Sequence, residues 1–182
     1  RIYTELEDRV EARTAELSEI NERLTSEIAE RARIESSLGA SEARYRQMFE
    51  ESPISLWEEN YSELKAYLNA LQAEGVYDLG TYFDEYPDAL VHCTSLMKVL
   101  DVNKETVRLF EARDKAEFFG NLSQILGPVT PDETFKQEVM AIANNETYFA
   151  AQIINYTMTG KKIYADISLT VAPGSEETYD KV

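Results

Sequence analysis

Ser41-Glu-Ala-Arg-Tyr-Arg-Gln-Met-Phe-Glu-Glu-Ser-Pro53 is the point at which the sequence changes character. Its first part continues a helical pattern carried from the N-terminus, with Tyr45 and Met48 in step with it. Its end stops that helix, because Pro53 lacks a backbone donor and pushes its predecessor out of the α region. The two sides therefore read as different objects: a coiled-coil helix over residues 1–50 and a folded domain over residues 51–182.

Upstream, an apolar seam repeats every seven residues. One seam position holds Tyr3, Val10, Leu17, Leu24, Arg31, Leu38 and Tyr45; the other holds Leu6, Arg13, Ile20, Glu27, Ile34, Ser41 and Met48. A sustained repeat near 3.5 residues keeps a stripe facing a partner helix along its whole length. At 1.5 Å per residue the segment spans roughly 75 Å, longer than one globular core covers. The seam is therefore expected to bury itself against a second chain, making a homodimer. Arg13, Glu27 and Arg31 place charge in the seam, and polar layers lower stability while fixing register. In a parallel dimer Glu30 also faces Glu35 of the partner helix, which repels. Several mediocre layers fit an element with two packings of similar energy; an ordinary tether with long stems snorkelling outward is the simpler alternative. The wording Leu6-Glu-Asp-Arg-Val-Glu-Ala-Arg-Thr-Ala-Glu-Leu17 and Asn21-Glu-Arg-Leu-Thr-Ser-Glu-Ile-Ala-Glu-Arg-Ala-Arg33 resembles the signalling helices of bacterial and archaeal sensor kinases.

Acidic residues outnumber basic ones 34 to 18, a formal charge of −16. Such a surface repels phosphate backbones, which argues against nucleic-acid binding. The lone cysteine, Cys93, excludes an intrachain disulfide and a CxxC metal knuckle and fits a reducing compartment. The expected location is cytoplasmic, with membrane attachment of a parent protein left open. No stretch approaches the ~20 apolar residues of a membrane-spanning helix. Both termini read as internal points of something longer.

Downstream, Ile54 to Glu58 reads as a first strand. Residues 61–96 read as helical, with Leu64, Tyr67, Leu68 and Leu71 in a stripe, Gly75 as a stop and Pro87 at a first helical position. Met97-Lys-Val-Leu-Asp101-Val-Asn103-Lys-Glu-Thr-Val-Arg-Leu-Phe110 reads as a strand, then a helix capped by Asn103 with Asp101 bracing the loop. Phe118-Phe119-Gly120-Asn-Leu122 is a further short turn. Thr130-Pro131-Asp132-Glu133 marks a helix start carrying Phe135, Val139 and Ile142 to a stop at Asn144-Asn145. Tyr148 to Thr157 and Lys162 to Val171 alternate as half-buried strands.

The entry helix leading through Ser52-Pro53 into a strand, and the strand ending in Asp101-Val-Asn103 before a helix, resemble a PAS domain. The resemblance implies an α+β fold: an antiparallel sheet flanked by helices, here with a helical insertion over about 61–96 between the first two strands and with the last strand cut short near Val182. It further implies a sensory or regulatory module of a signal-transduction protein, foremost a two-component histidine kinase with its output domain downstream. Alternatives are a ligand-free dimerisation and docking module, or the input domain of a diguanylate cyclase or transcriptional regulator.

The chemistry-bearing residues are sparse. His92 is the only histidine, and His92 and Cys93 point about 100° apart on a helix, poor geometry for sharing a metal. No Walker loop, GxGxxG or HExxH occurs, so this chain is read as non-enzymatic and without a metal site. PAS domains often hold a small molecule between sheet and helices; the resemblance makes Trp57, Met97, Phe110, Met140 and Gln152 the pocket candidates, each equally explicable as core. No haem or flavin attachment residue stands out, which leaves any cofactor unidentified.

Overall fold

The computed structural model describes residues 2–122 and 133–182. It is a mixed structure of helices and small antiparallel sheets. The chain divides into two compact units, residues 1–48 and residues 49–182. The first unit is almost all of α1 (Ile2–Glu50), an uninterrupted helix without a buried residue. Its seam is open: Leu17 is 58% exposed, Leu24 44% and Leu38 58%. All three of its charged seam residues make pairs within the helix, Arg31 with Glu27 at 2.9 Å and Arg13 with Glu16 at 2.5 Å. Gly39 lies inside the helix, which passes through it without a break. No described helix is long and apolar enough to cross a membrane.

The globular unit opens with β1 (Trp57–Asn60). Three helices follow: α2 (Ser62–Ala73), α3 (Leu79–Glu85) and α4 (Pro87–Ser95). The chain then returns as β2 (Lys98–Val102), antiparallel to β1 with Trp57 opposite Val102 and Glu58 opposite Asp101. Three helices thus lie between two paired strands. Next come α5 (Lys104–Leu109), α6 (Lys115–Gly120) and α7 (Glu133–Ala143), then the hairpin β3 (Tyr148–Tyr156) and β4 (Lys162–Thr170). The expected single sheet is observed as two two-stranded sheets, β1-β2 and β3-β4. The last residues lie along the other edge of β1. Glu59 exchanges both backbone hydrogen bonds with Val182, and the Tyr61 N–H donates to the Tyr179 carbonyl. The Ala172 N–H, just past β4, donates to the Lys181 carbonyl.

Local chemistry sets the element ends. Gly75 and Val76 close α2 with N–H bonds to Gln72 and Leu71, a Schellman stop, and Gly75 has φ +97°. Asn145 closes α7 the same way at φ 62°, with Asn145 and Glu146 donating to Ile142 and Ala141. Pro87 starts α4 and Asp78 caps α3 by accepting from the Thr81 N–H. The helix start at Thr130-Pro131-Asp132 lies outside the described residues. One expectation is corrected: β1 begins at Trp57 and not at Ile54, which is 67% exposed. The backbone around Ile54 and Leu56 is engaged by the side chain of Asn103 in place of a strand partner.

Two hydrophobic clusters form the interior. The larger contains Leu64, Leu68, Leu79, Phe83, Leu90, Cys93, Val139 and Ile142, so the insertion supplies much of the core on which α7 rests. The smaller contains Val102, Phe110 and Phe118 with Trp57 against them. The insertion is therefore a structural part of this domain. Leu68→Ala is expected to lower the unfolding free energy by about 2–5 kcal/mol, read by urea denaturation. A change under about 1 kcal/mol would mean that the insertion unfolds separately.

Candidate functional site

Helix α1 ends where the globular unit begins, and its last carbonyls have no partner within the helix. Asn103, fully buried at the start of α5, meets this need. Its amide nitrogen donates to the Phe49 carbonyl at 3.1 Å and to the Ile54 carbonyl at 2.8 Å. Its amide oxygen accepts from the Leu56 N–H at 3.1 Å and from the Thr106 N–H at 3.0 Å, the latter being the N-cap of α5. The Asn103 N–H in turn donates to the Leu56 carbonyl. Thr106 extends the network, its hydroxyl lying 2.8 Å from that of Ser55, which also accepts from the Trp57 indole N–H at 3.0 Å. The capping role read from sequence is present, and the contacts to residues 49–56 are additional.

Beside it stands a charge bridge. Lys115 on α6 donates to Glu50 at 2.7 Å and to Asp101 at 2.6 Å. Burial pulls its ammonium down, but the hydrogen bonds and charges of Asp101 and Glu50 outweigh this and hold it above the ordinary lysine value. Asp101 also accepts from the Val102 N–H. The second carboxylate oxygen of Glu50 is buried without a hydrogen-bond partner. Phe49 and Glu50, the last residues of α1, are thus tied to β2, α5 and α6 by two side chains.

The five pocket candidates fall in three places. Trp57 and Phe110 meet edge to face with centroids 5.7 Å apart, and Phe118 packs at 5.3 Å from Trp57. Met97 and Met140 border the other cluster. Gln152 is exposed on the hairpin and donates to Asp166 at 2.9 Å. His92 is exposed and stacks edge-on to Tyr67, whereas Cys93 is buried and burial pushes its thiol up to about 12. A thiol held that high stays protonated and is a poor nucleophile or metal ligand. Among the described residues, no three His, Cys, Asp or Glu side chains group as metal ligands do. Arg13, Glu27 and Arg31, the polar seam positions, all lie on α1.

What sequence reasoning missed here is the reach of Asn103 back to residues 49–56. Its only sequence signal is the pairing of Asp101-Val-Asn103 with Ser52-Pro53, two breaks whose backbone groups both need partners. No protein-family model matches the chain, and comparison with curated proteins and with solved structures gave no match.

Asn103→Asp keeps the acceptor oxygen but turns the donor end toward two carbonyls as an oxygen. It is expected to cost roughly 2–3 kcal/mol of unfolding free energy, with faster amide exchange around Leu56. A loss under about 0.5 kcal/mol would show that the Phe49 and Ile54 carbonyls are satisfied without it.

Proposed function

We propose that this chain is a sensory or regulatory module of PAS type that passes a conformational signal through a dimeric coiled coil in a signal-transduction protein, foremost a histidine kinase. The observation that carries the proposal is the open heptad seam of α1. Thirteen seam positions from Leu6 to Met48 would be too many apolar and charged layers in step for a solvated helix face; a second copy supplies the same period over the same length. Burying a leucine such as Leu17 or Leu24 in that seam contributes about 1.5–3 kcal/mol. A partner of unrelated sequence would need an equally long 3.5 repeat.

Transmission on this reading runs through the helix end. Phe49 and Glu50 are fixed by Asn103 and Lys115, so rearrangement of β2, α5 or α6 acts on the residues that finish the rod. The charged layers at Arg13, Glu27 and Arg31 keep the helix pair from settling into one deep packing, and a signal acts by stabilising one of two packings over the other. A docking module without a ligand would use the same rod, with the exposed hairpin face of Tyr148, Ile154 and Tyr164 as its surface.

Replacing both Glu27 and Arg31 with Leu is expected to raise the thermal midpoint of the dimer by several degrees and to lock the output of the parent protein in one state. An unchanged midpoint together with unchanged output would contradict the switching role.

A further inference from the structure

Three titratable side chains meet in the globular unit at a place that the helix junction does not use. The hydroxyl of Tyr61, just past β1 and buried, lies 2.6 Å from the carboxylate of Glu59 on β1 and 3.3 Å from that of Glu138 on α7. A phenol has one proton to donate. With both carboxylates ionised, one of them faces the phenol oxygen without a donor, and two like charges share one hydroxyl. Adding one proton to Glu138 resolves this, since its O–H can donate to the Tyr61 oxygen while Tyr61 donates to Glu59.

Among the described residues, no cation pairs with either carboxylate. Lys65 on α2 is committed to the Ile142 carbonyl and Asn145, each at 2.8 Å, and sits over the Tyr179 ring. Lys98 on β2 pairs with Glu63 on α2, and Lys136 on α7 pairs with Asp84 on α3 at 2.5 Å. Glu58 lies beside Glu59 on β1 and Glu133 begins α7, both acidic. In the closing segment, Asp180 bonds Thr178 and Lys181 is exposed. Residues 123–132 contain no Lys, Arg or His.

We propose that Glu59, Tyr61 and Glu138 form a one-proton site that joins α7 to β1, so that the globular unit responds to acidity by tightening or loosening this contact. This does not depend on the proposed signalling role. Burial, and then the charge of Glu59, push Glu138 up to about 7, while the Tyr61 hydrogen bond works the other way; burial also raises Glu59. Proton release near neutrality would leave two charges at the seam of α7 and β1. Because the folded state holds this proton more tightly than the unfolded chain, the stabilisation is fully present below about pH 4.5 and is lost as pH rises through about 7.

The test is a carboxyl carbon-13 NMR titration of the whole glutamate-labelled chain between pH 4 and 9. Glu138 is expected to titrate near 7, more than a unit above an ordinary glutamate. Glu59→Gln should lower that midpoint by removing the like charge, and Tyr61→Phe should move it by removing the hydroxyl that both carboxyl groups share. Over the same window the folded-to-unfolded ratio should fall by up to about tenfold per pH unit relative to Glu138→Gln. A Glu138 midpoint below about 5 in the unaltered chain, or one unmoved by Glu59→Gln and Tyr61→Phe alike, would overturn the proposal. Wild-type and Glu138→Gln chains with the same pH dependence would overturn it too.

Discussion

The carboxamide of Asn103 is shared by three stretches of backbone: the last turn of α1, the Ser52–Leu56 segment and the first turn of α5. Each of those stretches has polar groups that its own secondary structure leaves unpaired. A helix end, a proline break and a six-residue helix would each be marginal alone. One buried amide with donors on one side and acceptors on the other is the smallest group that serves all of them. Aspartate lacks the donors and leucine lacks both. The position of β1, and through it the pairing of β1 with β2 and with Val182, follows from where this amide holds Leu56.

Around that fixed point the domain separates into two interiors. The smaller, built on Trp57, Val102, Phe110 and Phe118, lies beside the Asn103 network, with the Trp57 indole bonded to Ser55 and Ser55 to Thr106. The larger is built by the inserted helices and α7. The Tyr61 hydroxyl lies on the side of this second interior, between β1 and α7. A domain arranged this way has one polar junction at the helix exit and another between sheet and long helix. Both involve groups whose loss leaves a buried partner unsatisfied, the situation in which one side chain has an effect out of proportion to its size.

Much of this was legible in the sequence because it is local. The helical stripe of Leu64, Leu68 and Leu71, the Gly75 and Asn145 stops, the Pro87 start, the Asn103 cap and the alternation of Ile163 to Leu169 all depend on neighbours a few residues away, and all are present. The start of β1 was misread because a side chain 47 residues downstream decides it. The pocket candidates were selected one by one, and no local pattern indicates that Trp57 and Met97 belong to different clusters. The Glu59–Glu138 pair was overlooked, although two signals were there. Neighbours on a strand face opposite ways, so one of Glu58 and Glu59 must point inward. Glu138 also stands three residues after Phe135 and four before Ile142, within the apolar stripe of α7.

The proposed signalling role rests on the open seam of α1 having a second copy of itself as partner. Native mass spectrometry of the purified chain tests this most directly, since it counts chains without a label or a variant. The expected result is a species of twice the 20.8 kDa chain mass that persists on dilution into the micromolar range. A chain that remains at 20.8 kDa at every concentration would contradict the account, because a 49-residue helix with an apolar seam would then stand uncovered.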